Sequence, residues 1–278
     1  MMREILLVSD LDGTLLDSRQ TISKENKNAI KDFKKLGGKF TIATGRMEKS
    51  AQPYIDLLEI DIPVILYNGA VVYNHKTNKR LVDKSLKNYT PLIKLFREIA
   101  FKKKLGILIY QKGEVFTFEK NSLIMEYEIK DNVNCKLMSD ENFEHPITKV
   151  LLISPERSTL QECETIIQEC NYSCDLVYSE SNYLEILPYT ASKGNALVVL
   201  QDFLGGIKNL HTICVGDNLN DISMLEVASQ GFVVENCHES MRNGKYARTL
   251  HHEKNALAHL IQKHIFSKEM KALSSKIE

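Results

Sequence analysis

The sequence lacks the features that mark zinc-binding, membrane or nucleic-acid-binding proteins. Its six cysteines include no C-x-x-C pair, so a zinc site is not expected, and their scatter predicts reduced thiols. Lysine plus arginine and aspartate plus glutamate both number 36, so the charge balance gives no reason to expect nucleic acid or an acidic membrane as a partner. No apolar run approaches the roughly 20 residues that span a bilayer.

Length and composition allow a large folded unit. The chain has 278 residues, which exceeds one typical domain, so we expect one large domain or a core with a substantial insertion. Hydrophobic residues make up 43%, enough to build a core. The apolar run before Ser9 and Asp10 has only four residues, 5–8, which is too short and too soon acidic for a signal peptide. We therefore expect a soluble, cytoplasmic protein, either a monomer or a homodimer.

Strand-length apolar runs alternate with helical patterns near both ends of the chain. The predicted strands are residues 5–8, 40–43, 63–66, 212–215 and 232–234, and the predicted helices are 23–36, 46–58, 192–203 and 221–228. This alternation is typical of a parallel sheet with helices on both faces. The two stretches therefore predict the halves of one doubly wound α/β core.

The middle of the chain has a different pattern. An amphipathic helix is predicted at 89–104, a hairpin at 105–118, and further strands at 149–153, 174–178 and 183–187. Hairpins mixed with helices are typical of an α+β unit. We therefore expect a core built from residues 1–83 and 189–278, with an inserted α+β domain at 84–188.

Polar residues follow the predicted core strands at the point where each strand ends. They are Asp10, Asp12 and Thr14 after the first strand, Thr44, Gly45 and Arg46 after the second, Asn68 and Gly69 after the third, and Gly216, Asp217, Asn220 and Asp221 after strand 212–215. Ligands bind beyond the carboxyl ends of parallel strands. One aspartate after a strand is often a turn former or helix cap, but polar groups at four successive strand ends predict a site.

Three of these residues indicate a metal. Asp10, Asp217 and Asp221 would repel one another strongly in the absence of a cation. Hard oxygen ligands of this kind suit Mg²⁺, which keeps several of its waters and is often shared with a substrate phosphate. The sequence therefore predicts Mg²⁺ as cofactor and a phosphate-bearing ligand.

Four short motifs occur in order. Residues 10–16 read DLDGTLL, residues 43–46 read ATGR, Lys193 lies within SKGNAL, and residues 216–225 read GDNLNDISML. Together they resemble the four motifs of the haloacid dehalogenase-like hydrolase superfamily, and the insertion resembles the cap of its Cof-type subfamily. The resemblance runs from about residue 5 to residue 236. It implies a Rossmann-like core with an α+β cap, and phosphatase activity on small phosphorylated metabolites.

The resemblance also implies roles for the first two motifs. Asp10 would be the nucleophile and form an aspartyl phosphate, with its repulsion from the substrate reduced by Mg²⁺. Asp12 would protonate the leaving group and then activate water. Thr44 and the amides of Gly13 and Gly45 would hold the phosphate oxygens.

Further roles are implied for the third and fourth motifs. Lys193 would neutralise charge on the nucleophile and the phosphoryl group. Asp217 would bind Mg²⁺ together with Asp10 and the backbone carbonyl of Asp12. Asp221 would act through water, and Asn220 would lie at a similar range with a role in phosphate binding.

Several assignments stay open. Arg46 either touches the substrate or caps a helix, and Asn68 with Gly69 either contacts phosphate or forms a turn. Glu185 lies either at the site entrance or at a surface or hinge position. Glu235 stands where the family usually has glycine, and we expect it near the mouth of the site.

The substrate class is also open among sugar phosphates, nucleotides and phosphorylated cofactors. One alternative is a phosphomutase of sugar phosphates, because Asp12 would serve that chemistry as well. Another is a non-catalytic protein that binds a phosphorylated metabolite on a retained fold.

Overall fold

The computed structural model describes residues 4–87, 89–103, 105–139, 145–206 and 210–266. The strands are β1 (Glu4–Ser9), β2 (Lys39–Ile42), β3 (Val64–Leu66), β4 (Val71–Asn74), β5 (Lys79–Asp83), β6 (Gly106–Gln111), β7 (Glu114–Thr117), β8 (Cys135–Leu137), β9 (Lys149–Ile153), β10 (Cys174–Glu180), β11 (Tyr183–Pro188), β12 (Leu210–Gly216), β13 (Gln230–Val233) and β14 (Ala247–Arg248). The helices are α1 (Lys24–Lys35), α2 (Glu48–Leu57), α3 (Thr90–Lys103), α4 (Ser122–Asp131), α5 (Arg157–Glu169), α6 (Lys193–Phe203), α7 (Ile222–Val227) and α8 (Ala256–Leu260), the last continued by a π-helical turn at Ile261–Phe266.

Five parallel strands form the core sheet, in the order β14-β13-β12-β1-β2. The chain first adds β2 on one side of β1 and later adds β12 on the other side. The strand order therefore reverses between β1 and β12, and a crevice opens beyond the carboxyl ends of these two strands. The predicted doubly wound parallel sheet is confirmed.

Strand β3 departs from the simple alternation of strand and helix. A parallel bridge between Ala43 and Ile65 places it beside β2, but it then pairs antiparallel with β4, which pairs antiparallel with β5. The β4–β5 hairpin is not evident from the sequence, because β5 reads KRLVD and its two apolar residues stand among charged ones. The third predicted strand therefore begins a small antiparallel sheet at the edge of the core.

A second sheet lies between β5 and α6 in the sequence, in the order β10-β11-β9-β6-β7-β8. Strands β7 and β8 run parallel, and the other neighbouring pairs are antiparallel. The predicted α+β cap is therefore confirmed as a separate layer with a mostly antiparallel sheet. Residues 84 and 188 fall just after β5 and at the end of β11, and a domain division at these residues stays a proposal.

The two faces of the cap sheet are covered differently. Along β6, Ile107 and Ile109 join an apolar cluster with α3 and α5, including Phe96. The alternate residues, Leu108 and Tyr110, join a second cluster that includes α4 and continues into the core of the parallel sheet. Helix α4 therefore lies on the face of the cap that looks toward the core.

Local sequence signals fix the helices that carry the site. The side chain of Ser192 accepts a hydrogen bond from the backbone N–H of Asn195 at 3.1 Å, which caps the start of α6. Ser23 caps α1 through Asn26 in the same way. No helix of the described residues is both long and apolar enough to cross a bilayer.

Candidate active site

The site begins where the two central strands end. Asp10 directly follows β1, and its N–H donates to the carbonyl of Val215 in β12 at 3.0 Å. Asp217 directly follows β12. Because the two strands pair in parallel register through Ser9 and Val215, the two aspartates leave the sheet side by side.

Three carboxylates converge at this point. Asp10, Asp217 and Asp221 each offer an oxygen, and these oxygens all lie within 4.8 Å of one another. Gly13 makes the approach possible, because it has φ +74° and a Cβ there would lie 2.6 Å from Oδ2 of Asp217. Thr14 donates to Oδ1 of Asp217 at 2.8 Å and orients that carboxylate.

Lys193 joins the carboxylates from the start of α6. Its side chain is completely buried, and its Nζ lies 2.9 Å from Oδ1 of Asp10 and 2.6 Å from Oδ1 of Asp221. Helix α6 can come this close because Gly194 packs against Ser223, where a Cβ would lie 2.3 Å from the backbone oxygen. The structure therefore brings together the predicted nucleophile and the predicted cation.

Both oxygens of Asp221 accept hydrogen bonds from the protein. Its Oδ2 accepts the N–H groups of Asp217 and Asn218 at 2.9 and 3.0 Å, while its Oδ1 accepts from Lys193. These bonds hold the loop after β12 and fix the ammonium group of Lys193. Of the three carboxylates, Asp221 is thus committed to shaping the loop, while Asp10 and Asp217 line the cavity.

The three carboxylates at this point carry more negative charge than the neighbouring lysine neutralises. Burial raises the pKa of Asp10 well above its ordinary value, and Asp221 adds to the rise while Lys193 opposes it. Burial and Asp221 likewise raise the pKa of Asp217 to about 7, against the hydrogen bond from Thr14. Burial disfavours the charged form of Lys193, but Asp10 and Asp221 outweigh it and raise its pKa. A cluster of oxygen donors with excess negative charge fits a hard divalent cation.

Asp12 is held apart from this cluster by Arg46. The guanidinium donates from Nε and from one terminal nitrogen to the two oxygens of Asp12, at 2.8 and 2.7 Å. It also contacts Gln20 and stacks on the Tyr54 ring, 5.3 Å from its centre. Burial favours the neutral form of Asp12, but the hydrogen bonds and charge of Arg46 outweigh it and lower the pKa of this carboxyl. Arg46 therefore fixes Asp12 as a carboxylate.

The loop after β2 is tied to the cap. Lys149 from β9 donates to the carbonyl of Gly45 at 2.8 Å and lies 3.2 Å from Glu185 of β11. Both side chains are nearly completely buried, with 3% and 4% of their area exposed. A surface position for Glu185 is therefore wrong, and it lies in the site.

Asn68 extends this network to the loop after β12. Its Nδ2 donates to Glu185 at 2.8 Å, and its Oδ1 accepts from Asn220 at 3.0 Å. Tyr67, Asn68 and Gly69 all have positive φ, of 49°, 52° and 95°. Two consecutive non-glycine residues in this region store strain, which is often found at functional sites. The asparagine is thus more than a surface turn former.

A cavity of about 280 Å³ lies between the core loops and the cap. Its floor comes from the core: Asp10, Asp12, Gly13, Gln20, Thr44, Gly45, Arg46, Asp217, Asn218 and Asn220. Its roof comes from the cap: Tyr127, Lys130, Asp131, Lys149, Leu151, Ser179, Glu180, Tyr183 and Glu185. We call these two sets the floor and the roof.

Most of the predicted site residues therefore meet in one place. Lys193, Asp221 and Asn68 lie directly behind the floor, in contact with floor or roof residues. Glu235 is placed differently from our expectation. It is outside the cavity lining and accepts the N–H of His251 at 3.1 Å, while its neighbour Asn236 donates to the carbonyl of Gly13 at 2.7 Å.

Apart from Glu185, which the sequence offers as a residue of the site entrance, the roof residues are not identified from the sequence. Lys149 stands at the head of an otherwise apolar strand, KVLLI, and Glu185 is the one charge in YLEILP. A charge on a buried strand was the available signal for both residues. The α4 residues Tyr127, Lys130 and Asp131 gave no comparable signal, because that segment mixes apolar and charged residues and was not predicted as a helix.

Comparison with known proteins gives one consistent family. The model of the haloacid dehalogenase-like hydrolases matches residues 7–261. YxeH of Bacillus subtilis is 28% identical over 272 residues, which cover 95% of this chain and 99% of YxeH. The 5-amino-6-(5-phospho-D-ribitylamino)uracil phosphatase YwtE of the same organism is 27% identical over 280 residues, with coverage of 91% and 95%.

A solved structure has the same fold. A haloacid dehalogenase-like hydrolase from Bacteroides thetaiotaomicron superposes with a TM-score of 0.82 at 24% identity, covering 94% of this chain and 99% of that protein. The similarity therefore includes both the parallel core and the inserted cap.

Proposed function

Because the chain belongs to the haloacid dehalogenase-like hydrolase family, we propose that it is a Mg²⁺-dependent phosphatase of small phosphate monoesters. The observation that carries the proposal is the floor of the cavity. There a buried aspartate, Asp10, meets Lys193 and Asp217, while a second carboxylate, Asp12, is held nearby by Arg46. YwtE, a relative over nearly the whole chain, is named for a phosphorylated ribityl substrate, which supports a small phosphorylated metabolite here.

The metal ligands would be Asp10, Asp217 and the backbone carbonyl of Asp12, with Asp221 acting through water. The excess negative charge of this cluster supports the assignment. When bound, Mg²⁺ would neutralise charge on the carboxylates and the phosphate and so permit their approach.

Phosphoryl transfer to the protein is the first chemical step. A carboxylate oxygen of Asp10 attacks phosphorus, the bond from phosphorus to the ester oxygen breaks, and that oxygen takes a proton from Asp12. Asp12 begins as a carboxylate paired with Arg46. The incoming phosphate competes for the guanidinium and adds negative charge, and both effects raise the pKa of Asp12, so that it takes up a proton from solvent as the substrate binds and then delivers that proton to the ester oxygen.

Hydrolysis of the aspartyl phosphate is the second step. Water attacks phosphorus while Asp12 takes its proton, and the bond from phosphorus to the oxygen of Asp10 breaks. The products are inorganic phosphate and the restored carboxylate of Asp10. Lys193, 2.9 Å from Asp10, stabilises the charge that returns to this oxygen.

Further residues of the floor, together with Lys193 and Asn68 behind it, would bind the phosphoryl group. Thr44 and the amides of Gly13 and Gly45 are the assigned donors, with Lys193 as the buried cation. Arg46, Asn68 and Asn220 are also assigned to substrate or phosphate binding, at a greater distance from the phosphoryl group than these donors. The Nδ2 groups of the two asparagines are already engaged, in a chain from Asn220 through Asn68 to the cap.

The test is a screen of the purified chain against about a hundred phosphorylated metabolites, with Mg²⁺ and with chelator. We expect Mg²⁺-dependent release of inorganic phosphate from sugar phosphates, nucleotides or phosphorylated cofactors. Radiolabelled substrate should leave acid-stable label on wild-type protein but none on Asp10→Asn. Conversion of a phosphate ester to its isomer without phosphate release would replace this function with a phosphomutase. Binding without any turnover would make the chain a non-catalytic regulator.

A further inference from the structure

We infer that Asp131, in the roof, selects the leaving group of the substrate by accepting a hydrogen bond from one of its hydroxyls. The inference rests on the proposed phosphatase function and adds to it a residue that contacts the alcohol part of the substrate rather than the phosphate. The sequence motifs do not include this residue.

A chain of buried hydroxyls holds Asp131 in place. The Tyr127 hydroxyl donates to Oδ2 of Asp131 at 2.5 Å, and the Tyr110 hydroxyl lies 2.6 Å from that of Tyr127. Tyr110 and Tyr127 are 1% and 4% exposed. The tyrosine chain therefore fixes the direction of the carboxylate from the side of the cap, as expected for a residue that has to be positioned precisely for a ligand.

The position of Asp131 is unfavourable for the folded chain alone. It is 9% exposed, and it is the last residue of α4, where the helix dipole disfavours negative charge. Burial raises the pKa of this carboxyl, Arg46 opposes the rise, and Asp12 adds to it. A buried carboxylate in such surroundings costs free energy unless it serves a partner.

The second oxygen of Asp131 is available to that partner. Among the described residues, hydrogen bonding to this carboxylate is confined to the one bond from Tyr127 at Oδ2, and the side chain lines the cavity that contains Asp10 and Asp12. An acceptor on the roof opposite the acid/base residue is placed to meet the part of the substrate that departs. A ligand hydroxyl would complete its hydrogen bonding.

The other roof groups favour a hydroxyl over an ammonium group. Lys130 is paired with Glu180 and stacks on the Tyr183 ring at 4.7 Å, so this part of the roof already holds a cation. Lys149 is paired with Glu185. A substrate ammonium can only donate, so it could bond to Asp131 but could not accept from these lysines, whereas a hydroxyl both donates to carboxylates and accepts from ammonium groups. The mixture of donors and acceptors therefore fits a leaving group with several hydroxyls.

The test compares two primary alkyl esters that differ in their hydroxyls, sorbitol 6-phosphate and n-hexyl phosphate, with p-nitrophenyl phosphate as a third substrate. Wild type should prefer the hydroxylated ester in kcat/KM. Asp131→Asn should lower kcat/KM for sorbitol 6-phosphate by about tenfold, mostly through KM, because a hydrogen bond to a charged acceptor is replaced by a weaker one to a neutral amide. The loss on n-hexyl phosphate should be less than about threefold, since that ester has no hydroxyl to lose.

Two further variants separate selection from folding. Tyr127→Phe removes the bond that orients Asp131 and should give a smaller loss of the same preference. Asp175→Asn makes the same chemical change at a half-buried cap residue outside the cavity lining, and it should keep wild-type selectivity.

Each outcome is decisive. If wild type cleaves the esters without preferring sorbitol 6-phosphate, or if Asp131→Asn keeps the full preference, the role of Asp131 is refuted and the phosphatase proposal stands. If wild type cleaves none of the three substrates with Mg²⁺, the phosphatase proposal and this inference both fail.

Discussion

The floor and the roof of the cavity both contain charged groups, but the two regions differ in how completely those groups are paired and hydrogen-bonded by the protein. On the floor side, Lys193 contacts two carboxylates and Asp221 accepts three hydrogen bonds. On the roof, Lys149 and Glu185 form a buried pair, but Asp131 has one hydrogen bond and the Lys130–Glu180 pair is 33% and 40% exposed. Charged groups that the protein holds in fixed positions can stabilise a transition state. Charged groups with unfilled hydrogen-bonding positions can instead bind a ligand. We expect changes in the floor to abolish chemistry and changes in the roof to alter selection.

The largest effect is expected at the centre of the floor. Asp10→Asn should lower turnover of every ester by at least about 10,000-fold, because a carboxamide cannot attack phosphorus. The fold should survive or gain stability, since the substitution removes a buried charge from beside Asp217 and Asp221. Phosphate release and thermal unfolding of the same preparation measure both effects. Turnover near the wild-type rate in a clean preparation would exclude covalent catalysis by Asp10.

The next effect tests the acid and base. Asp12→Asn should lower the rate with alkyl esters by about 100-fold or more, because the proton shuttle is lost. The first step with p-nitrophenyl phosphate should suffer less, since its leaving group needs little protonation, so phosphorylated protein should accumulate. Rapid quench with radiolabelled substrate measures that species. Equal losses on both esters, with no phosphorylated protein, would count against this role.

The third effect concerns the metal on the floor. Asp217→Asn should raise the Mg²⁺ concentration needed for half-maximal activity by about 100-fold, because one direct ligand loses its charge. In wild type, Ca²⁺ should support activity poorly, since it prefers more ligands and longer bonds. Activity titrations against each metal measure both effects. A wild-type rate that chelator leaves unchanged would rule out the metal assignment.

The sequence predicted the floor far better than the roof, for a physical reason. Floor residues follow directly on strand ends, so a motif such as DLDGTLL brings Asp10, Asp12 and Gly13 to one edge of the sheet by local geometry alone. Roof residues reach the cavity only through tertiary packing of the cap on the core. Asp131 lies there because α4 packs on one face of a sheet whose strand order cannot be derived from the sequence.

Arg46 and Asn68 lie between these two cases. Their positions after strand ends were predicted, but their partners, Asp12 for Arg46 and Glu185 for Asn68, depend on contacts between distant segments. Position after a strand end therefore indicates the site, while only the folded structure identifies the contacts.

A smaller effect is expected where roof and floor meet. Lys149→Met should lower kcat/KM by about tenfold, because Gly45 loses its contact from the cap. It should also destabilise the fold by about 3 kcal/mol, since Glu185 is left buried without its cation. Glu185→Gln provides the partner variant.

A double-mutant cycle isolates this pair. The double variant Lys149→Met/Glu185→Gln should be more stable than the sum of the single losses predicts, because it leaves no unpaired buried charge. Urea unfolding of the four proteins measures the coupling. Strict additivity would show that the two residues act independently.

The smallest effect concerns the pH dependence of the floor without metal. The folded pKa of Asp217 is about 7, above the ordinary value of about 4, and that of Asp10 is raised in the same direction. Between the ordinary and the folded pKa values the folded protein binds more protons than the unfolded chain, so metal-free stability should fall as pH rises from about 4 through 7. In Asp217→Asn this fall should be smaller.

Added Mg²⁺ should raise the stability of the wild-type protein above pH 7, because it binds the ionised carboxylates of the folded protein. The measurement is thermal unfolding from pH 5 to 8, with chelator and with Mg²⁺. A metal-free protein whose stability rises across this range would mean that Lys193 compensates the carboxylates fully, and the floor would then have no excess charge to attract a cation.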